Sequence, residues 1–429
     1  MGRLGRLCVH VLVIGGGVIG ATTAYFLTEA GHEVTLVDRQ PSLAAEGSFA
    51  NGGMVHASHT EPWNTPAAIR QLVRWIGREE SPLLLRPSQI PNLIGWGLGF
   101  LRYSSARHHE RSTRVNTRLA VYSQRMLADI RARTGIDYEA EQRGIMKIFR
   151  DRAELEHAIT ASALTESLGV RYEALDVDGV VAREPALADV RDELAGGIYY
   201  PDDESGDAHL FTEALAAVVS ERGGSLRLGE QVLRLEGGAG GVDRVVTDQG
   251  EITADRYVLA AGVEAPVLAK PLGVRLPIKP VKGYSATLPA AGHPGVPATP
   301  IIDEGQKVVI TRLGERLRVA GTAEFAGYDR SIRQRRVEIV VRQALANFPQ
   351  YAGSVDTTAA EPWACLRPMT MDGPPLLGAS GVPNLLLNTG PGHLGWTFAA
   401  GAGRVVADLV DERTPEIDLE GLTLARYRR

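Results

Sequence analysis

Three glycines near the start of the chain have the spacing of a phosphate-binding turn. Gly15, Gly17 and Gly20 form the pattern G-x-G-x-x-G, and Asp38 follows at the distance typical of dinucleotide-binding folds. The first glycine makes the tight turn, the second lets the backbone meet a pyrophosphate, and the third packs the helix onto the strand. Asp38 can accept hydrogen bonds from ribose hydroxyls. The pattern predicts a dinucleotide site, leaves NAD and FAD open, and disfavours NADP because Asp38 disfavours a 2′-phosphate.

A second glycine-rich stretch, NTGPGHLGWT, covers residues 388–397. It follows an apolar run, NLLL, that indicates a strand, and it precedes a small-residue helical pattern, TFAAGAGRVVADLV. Glycine permits positive φ and lets a ligand approach the backbone closely. The stretch therefore indicates a turn that faces a ligand, although these residues alone do not identify that ligand.

The elements around the first turn follow the order strand, helix, strand. Residues 8–14 are rich in Val, Ile and Leu, which predicts a buried strand. Val18–Ala30 has helical periodicity, Gly31 ends the helix, and residues 33–37 predict a second strand. This order places the glycine turn at a helix N-terminus, where backbone N–H groups and the helix dipole favour phosphate.

The remainder of the chain contains stretches of both kinds. Residues 62–135 have a largely helical pattern, and GIMKIFR, RYVLAAG and KPVKGYSATL indicate strands. We expect an α/β protein with a Rossmann-like nucleotide-binding domain built from discontinuous segments and an inserted α+β substrate domain with an antiparallel sheet. The expected boundaries are 8–62, 145–270 and 360–425 for the nucleotide-binding domain, and 63–144 and 271–359 for the substrate domain.

The composition excludes several classes of protein. The chain has 429 residues, 44% of them hydrophobic, and a formal net charge of -5, which argues against nucleic acid as the main partner. Cys8 and Cys365 are the only cysteines, so we expect neither a disulfide framework nor a metal site. No apolar run approaches the ~20 residues needed to span a bilayer. The N-terminal apolar stretch has no small-residue cleavage site, so we expect no secretory leader and a cytoplasmic protein.

Five stretches resemble one family, in the right order along residues 11–397. They are VLVIGGGVIG with VDRQ, SFANGGMV, PDDESGDAHLFTEAL, PVKGYSATL with RLRVAGTAEF, and WACLRPMTMDGPPLLG with NLLLNTGPGHLGWT. The chain resembles the FAD-dependent D-amino-acid oxidase superfamily, and within it the bacterial D-amino-acid dehydrogenase (small-subunit) type. The resemblance implies that the dinucleotide is FAD and that the C-terminal turn sits at the pyrimidine end of the flavin. A helix N-terminus there would favour the anionic reduced ring.

The resemblance also implies the residues that contact FAD. The first turn would hold the pyrophosphate, the loop after Asp38 would lie along the flavin, and the C-terminal turn would face flavin N1 and the C2 carbonyl. The implied contacts are Gly15, Gly17, Val18, Ile19, Gly20, Asp38, Arg39, Gln40, Ser48, Asn51, Gly53, Val232, Ala261, Gly262, Gly392, His393, Leu394, Gly395 and Thr397.

The activity that the resemblance implies is oxidative deamination of small D-amino acids to 2-oxo acids. Hydride would pass from Cα to flavin N5, and electrons would pass to a quinone-type acceptor. Arg367 in CLRP matches the family's carboxylate-binding arginine, whose planar fork suits a carboxylate. Tyr284 in KGYS matches a tyrosine that hydrogen-bonds the same carboxylate. His56 and His393 could hold a proton near pH 7, and the sequence leaves their role open.

Two departures from the family pattern keep alternatives open. The family turn commonly reads GHG, whereas residues 390–392 read GPG here. A D-hydroxyproline or D-proline dehydrogenase, a glycine- or sarcosine-type oxidase, and a non-catalytic flavoprotein subunit are the alternatives. Cys365 lies where sarcosine-oxidase relatives carry a cysteine bonded to the flavin. We expect non-covalent FAD, with a covalent link through Cys365 as the alternative.

A segment between the two turns suits a membrane surface. IPNLIGWGLGFLRYSSARHHERSTRVNTR places an apolar stretch beside several arginines. Such a surface could lie on the inner face of the cytoplasmic membrane and deliver electrons to a quinone. A packed helix with a solvated basic face is the alternative. The sequence does not indicate the substrate side chain, the acceptor or the oligomeric state.

Overall fold

The computed structural model describes residues 8–65 and 78–427 and confirms the α/β fold. The first seven residues, which belong to the stretch inspected for a leader, lie outside the described residues, as does part of the predicted helical stretch 62–135. No helix among the described residues is long and apolar enough to cross a membrane.

The strands are numbered along the described residues. They are β1 (His10–Ile14), β2 (Glu33–Asp38), β3 (Met54–Val55), β4 (Leu83–Leu85), β5 (Ile145–Phe149), β6 (Glu173–Leu175), β7 (Gly196–Tyr200), β8 (Glu204–Ser205), β9 (Ser225–Leu228), β10 (Val232–Gly238), β11 (Gly241–Thr247), β12 (Gly250–Ile252), β13 (Arg256–Leu259), β14 (Ile278–Pro289), β15 (Ile301–Asp303), β16 (Val308–Leu313), β17 (Arg316–Phe325), β18 (Glu361–Thr370), β19 (Leu376–Ala379) and β20 (Leu385–Thr389).

The α-helices are numbered in the same way. They are α1 (Val18–Ala30), α2 (Ile90–Arg102), α3 (Ala106–Thr134), α4 (Arg152–Glu166), α5 (Val177–Arg183), α6 (Ala208–Glu221), α7 (Ala265–Ala269), α8 (Gln334–Leu345), α9 (Pro349–Ser354) and α10 (Gly395–Val410). The predicted bounds of α1 are confirmed, and Gly31 ends the helix in the left-handed conformation with φ 91°.

A six-stranded sheet has the order β19–β20–β13–β1–β2–β9. All neighbours are parallel except β19, which pairs with β20 in the antiparallel sense. The central strand β1 buries Val11, Leu12 and Val13 completely, as expected of a parallel strand covered on both faces. Because β1, β13 and β20 are parallel neighbours, the turns that follow them meet at one edge of the sheet.

The second large sheet has the order β18–β14–β17–β16–β15–β5–β7–β6, with β4 beside β17. Most pairs are antiparallel, as predicted, whereas β5 with β15 and β4 with β17 are parallel. Strands β10 to β12 form a separate antiparallel sheet, and β3 pairs with β8. The long pair β14–β18 supplies the residues of the second sheet that matter most for the site.

The sheets divide the chain differently from the predicted domain boundaries. Strands β5, β6 and β7 fall in the predicted nucleotide-binding segment 145–270, and β18 falls in 360–425, yet all four belong to the nine-stranded sheet. An apolar strand run looks the same in either sheet, so the local pattern could not show which sheet each strand joins. We therefore place these four strands with the second sheet.

The C-terminal helix α10 packs closely on α1 and α3. A side chain at Gly403 would lie 2.8 Å from the carbonyl carbon of Thr22, and one at Gly401 would lie 2.9 Å from Cα of Ser123. The Gly401 N–H donates to the Ser123 hydroxyl at 3.0 Å. Because these backbones touch, the turns that precede α1 and α10 are held in one rigid unit.

Candidate active site

A cavity of about 1050 Å³ lies where the two large sheets and the three glycine turns meet. Its wall includes Gly17 before α1, Gly262 after β13, Gly392 before α10 and Arg367 on β18. Small-molecule sites are typically about 300–1,000 Å³. The cavity can therefore hold a ligand much larger than a single amino acid.

The three glycines of the first turn have different surroundings. Gly15 has φ 114°, and a side chain there would lie 2.6 Å from the Ala260 carbonyl oxygen. A side chain at Gly20 would overlap the Gly15 carbonyl oxygen. Gly17 has an ordinary φ of -75°, and among the described residues only the Ser48 hydroxyl, at 3.4 Å, lies within 4 Å of a Cβ placed there. Gly17 is thus the glycine whose missing side chain leaves room for a ligand.

Asp38 ends β2 and contacts the first turn. Its carboxylate accepts the N–H of Gly16 at 2.6 Å and the N–H of Gln40 at 2.8 Å. Burial raises the pKa of Asp38, and these two hydrogen bonds oppose that rise. A carboxylate has about four acceptor positions. Two acceptor positions therefore remain for ribose hydroxyls in the cavity.

Most of the predicted FAD contacts line the cavity. They are Gly15, Gly17, Val18, Ile19, Asp38, Arg39, Gln40, Ser48, Asn51, Gly53, Val232, Ala261, Gly262, Gly392, His393 and Gly395. Gly20, Leu394 and Thr397 do not line it: Gly20 packs against the Gly15 backbone, Leu394 is buried, and the Thr397 hydroxyl accepts the His56 N–H at 3.3 Å. The individual contacts of all these residues with FAD stay predictions.

Both ends of this wall fit FAD. Gly17 supplies no capping side chain to α1, and the residue before α10 supplies none either. Gly390 and Gly392 have φ of 71° and 62°, and a side chain at Gly392 would lie 2.8 Å from the Met369 sulfur. At α1 the Ser48 hydroxyl accepts the Val18 N–H at 3.1 Å, and the remaining N–H groups in the first turns of the two helices suit a pyrophosphate at one end and an electron-rich ring at the other.

Arg367 is a partly buried cation in the cavity wall. Its guanidinium donates to the Thr322 carbonyl at 3.1 Å and lies 5.8 Å from the ring centre of Trp63. It forms no ion pair with any residue in 8–65 or 78–427. Burial lowers its pKa. A buried charge without a partner is costly, so this site favours an anionic ligand.

Gly283 makes the space for that guanidinium. A side chain on Gly283 would overlap the guanidinium atoms of Arg367. In the β14–β18 pair, Val281 lies opposite Arg367 and Gly283 lies opposite Cys365. Directly opposed residues point to the same face of a sheet. The glycine of KGYS therefore makes room for Arg367, and the sequence pattern carried no signal for it beyond the tyrosine beside it.

Tyr284 is not on the face that carries Arg367. Successive strand residues point to opposite faces, so Tyr284 points away from the side that Gly283 shares with Arg367. Its side chain is 1% exposed, packs under α8, and donates its hydroxyl to Glu324 at 2.6 Å. Although Tyr284 borders the cavity, the structure does not bring its hydroxyl to the Arg367 guanidinium. The joint role of Tyr284 and Arg367 in binding a carboxylate stays a prediction, and this geometry favours Arg367 as the residue that meets the carboxylate.

Other residues of the wall had no signal in the sequence analysis. Trp63 stacks on His393 with ring centres 5.0 Å apart, and the ring centre of His59 lies 6.4 Å from that of His393. Glu304 also lines the cavity. His59 and Trp63 come from one segment, and Glu304 and His393 come from two others, so only the tertiary structure brings the three segments together. Cys365 shares the Arg367 face, and burial raises the pKa of its thiol.

Comparison with known proteins decides the family. Residues 10–409 match the DAO family, described as FAD dependent oxidoreductase. The chain belongs to the DAO family of FAD-dependent oxidoreductases. The resemblance found in the sequence is thereby confirmed, and with it FAD as the cofactor.

Curated relatives of this DAO family member match it over nearly the whole chain. The D-amino acid dehydrogenase of Paramagnetospirillum magneticum is 47% identical over 420 residues, which cover 98% of this chain and 99% of that protein. The D-amino acid dehydrogenase of Methylobacterium sp. (strain 4-46) is 45% identical, with coverage of 98% and 100%.

Solved structures show the same fold at low identity. Glycine oxidase from Bacillus cereus superposes with a TM-score of 0.72 at 23% identity, covering 98% of this chain and 99% of that one. L-proline dehydrogenase from P. horikoshii superposes with a TM-score of 0.77 at 17% identity and 98% coverage of both chains. These likenesses concern the fold.

Proposed function

We propose that this DAO family member is a D-amino acid dehydrogenase. The observation that carries the proposal is Arg367, a partly buried arginine without a counter-ion among the described residues, which shares a cavity with the two glycine turns fitted to FAD. A carboxylate is the partner that an arginine fork binds best. The names of the curated relatives support an amino acid of D configuration as the substrate.

The protein's part in the reaction is to hold and orient the substrate. Bound FAD supplies the oxidising power by accepting a hydride from the substrate Cα. Arg367 holds the carboxylate, and Thr322 holds Arg367 through its carbonyl group. Loss of hydride and a proton converts the amine to an imine, which water hydrolyses to a 2-oxo acid and ammonia. Fixing the carboxylate orients Cα, and such positioning is a large part of the rate enhancement in enzymes.

The surroundings of Arg367 favour an apolar substrate side chain. Val281, Phe325 and Met369 form one buried apolar cluster, and Leu85 and Trp96 pack against it. Val281 lies directly opposite Arg367 on the neighbouring strand. A charged substrate side chain would lose its hydration here without gaining a partner. We therefore extend the proposal to D-amino acids with apolar side chains.

The proposal also includes non-covalent FAD and a quinone-type acceptor. The raised pKa of the Cys365 thiol disfavours the thiolate that would attack a flavin. Helix α2 lies at the cavity wall through Leu93, Trp96 and Phe100. Its outer side is apolar and open to solvent: Leu98 is 63% exposed, and Ile94, which also borders the cavity, is 58% exposed.

We place this outer side of α2 against an anionic membrane surface, where a lipid-soluble quinone is available. The exposed apolar residues of α2 recur at helical spacing: Ile90, Ile94, Leu98 and Leu101. Arg102 and Arg107 follow on the exposed surface and form no ion pair within the described residues. An apolar stripe bordered by free arginines is typical of helices that lie in a membrane interface.

Product analysis tests the proposal. The purified holoprotein is given D-leucine, a short-chain ubiquinone analogue and air, and the 2-oxo acid, reduced quinone and hydrogen peroxide are measured. We expect one 2-oxo acid for each quinone reduced, with little peroxide. Peroxide in place of reduced quinone would identify an oxidase. Absence of a 2-oxo acid with every amino acid tried would favour a non-catalytic flavoprotein subunit.

A further inference from the structure

Three histidines lie together in the cavity wall and have no task in the mechanism above. His56 and His59 follow β3, and His393 lies in the C-terminal turn. The ring centres of His56 and His59 are 5.6 Å apart, and those of His59 and His393 are 6.4 Å apart. We call these three residues the histidine cluster. Each gap is short enough for a single water or a ring rotation to bridge it.

The histidine cluster has unused hydrogen-bonding capacity. Nδ1 of His56, Nδ1 of His59 and Nε2 of His393 are buried, and none has a hydrogen-bond partner among the described residues. Buried polar atoms without partners are rare in folded proteins. The described residues contain no group of side chains arranged to hold a metal ion. These nitrogens are therefore free to serve a polar ligand or a proton.

The cluster connects the buried arginine with the protein surface. Trp63 stacks on His393 and also lies beside Arg367, so the His393 end of the cluster is next to the carboxylate site. At the other end, His59 Nδ1 lies 3.7 Å from a carboxylate oxygen of Glu304. Glu304 pairs with Lys307 at 2.9 Å, and the Lys307 side chain is 54% exposed. These groups therefore form a path from His393 in the interior, through His59 and Glu304, to solvent at Lys307.

Burial, together with nearby charged groups, lowers the pKa values of the three histidines and so favours their neutral forms. Burial, with help from neighbouring histidines, Lys147 and Arg367, holds the pKa values of His56 and His393 well below the usual value. Burial and Lys147 lower the pKa of His59, against the opposing effect of Glu304 and Glu61. Lys307 also lowers the pKa of His59, by a smaller amount. A neutral imidazole can accept a proton, and Glu304 can stabilise the charge when it reaches His59.

Amine oxidation requires such an acceptor. The substrate amine is protonated at neutral pH, and an ammonium group has no lone pair to assist the departure of hydride from Cα. Resting on the proposed function, we propose that the histidine cluster accepts the proton of the substrate ammonium at His393 and releases it to solvent past Glu304. One N–H bond of the ammonium breaks, one proton reaches water, and no electron moves in this step.

The pH profile of flavin reduction tests this proposal. In the wild-type holoprotein, the second-order rate of anaerobic flavin reduction by D-leucine should be nearly constant between pH 7 and the pKa of the substrate amine. In His393→Gln and His59→Gln, only substrate that is already neutral reacts. Their rate should fall about tenfold for each pH unit below that pKa and approach the wild-type rate above it. His157→Gln, which alters an exposed histidine of α4 outside the cavity, serves as the control.

A binding measurement provides a readout that does not depend on turnover. 2-Aminoisobutyrate has no hydrogen on Cα and cannot be oxidised, and isobutyrate lacks the amine. Protonating the cluster at low pH should weaken binding of 2-aminoisobutyrate and tighten binding of isobutyrate in the wild type. This opposite response should shrink in His393→Gln and His59→Gln. Flavin absorbance reports both affinities, and FAD content and circular dichroism confirm that each variant is folded.

The outcomes separate this inference from the proposed function. If wild-type flavin is not reduced by D-amino acids, the proposed function fails. If wild-type flavin is reduced while both variants keep the wild-type profile, the cluster carries no proton. A rate loss that is equal at every pH would also overturn the inference, since it would show a structural role.

Discussion

Arg367 is a partly buried cation that occupies the space left by Gly283 and has no counter-ion among the described residues. Removing it should therefore affect the substrate more than the protein. We expect Arg367→Ala to lower kcat/KM on the order of 100-fold, mainly through KM, because hydrogen bonds to charged groups contribute about 1.5–3 kcal/mol each. Steady-state kinetics measure kcat and KM, and flavin absorbance shows whether the variant still binds FAD. Arg335→Ala, on the exposed side of α8, is the control, and an unchanged KM in Arg367→Ala would remove Arg367 from the site.

Tyr284 leads to the opposite expectation. Its hydroxyl donates to the buried Glu324 carboxylate, which also accepts from Arg86 at 2.6 Å. We expect Tyr284→Phe to lower the free energy of unfolding by about 1–3 kcal/mol while leaving KM unchanged. Urea denaturation and substrate titration give the two quantities. A large rise in KM with unchanged stability would show that Tyr284 binds the carboxylate after all.

At the scale of elements, the N-terminus of α1 should bind the pyrophosphate through the open position at Gly17. A valine at Gly15 would strike the Ala260 carbonyl and damage the fold, so it is a poor probe of the ligand. A Cβ at Gly17 would meet the Ser48 hydroxyl at an ordinary contact distance of 3.4 Å, so a side chain there extends mainly into the cavity. We expect Gly17→Val to weaken FAD binding at least about tenfold, which costs about 1.4 kcal/mol.

The FAD affinity of Gly17→Val is measured by titrating the apoprotein with FAD and monitoring flavin fluorescence. Gly353→Ala is the control, because Gly353 is exposed and a side chain there meets no atom within 4 Å. Full flavin affinity in Gly17→Val would show that the pyrophosphate lies elsewhere.

Helix α2 is the element that should meet the membrane. We expect Leu98→Glu to weaken binding to vesicles of anionic phospholipid roughly tenfold or more, because burying a leucine contributes about 1.5–3 kcal/mol. Activity with a water-soluble acceptor should stay unchanged, since Leu98 does not line the cavity. Vesicle co-sedimentation measures the binding, with Ile332→Glu as the control at a loop residue of 43% exposure. Equal binding by both variants would place the contact on another surface.

Across the whole molecule, local patterns predicted the elements and their turns well. The first turn, β1 and α1 were predictable because G-x-G-x-x-G, a Val-rich run and helical periodicity are properties of adjacent residues. The approach of Gly15 to Ala260 also follows from parallel strand order. The face on which Tyr284 lies was not predictable, because it depends on the register between β14 and β18.

Longer-range parts of the site could not be predicted for a related reason. His59 and Trp63 reach the cavity from one segment and Glu304 from a distant one, and each residue type is ordinary in its local context. The same holds for β5 and β7, whose apolar patterns do not show which sheet they join. The local sequence pattern identifies a strand, but it does not show which strand that one pairs with.

The central claim is that D-amino acids reduce the flavin of this protein. The most direct test is the visible spectrum of the holoprotein without oxygen, recorded during addition of the D and L enantiomers of leucine, methionine, alanine and proline, and of glycine. The account predicts bleaching by the apolar D enantiomers and none by their L counterparts. A flavin that no D-amino acid bleaches, or that both enantiomers bleach equally, would contradict the account. Bleaching by a proline alone would favour a prolyl dehydrogenase.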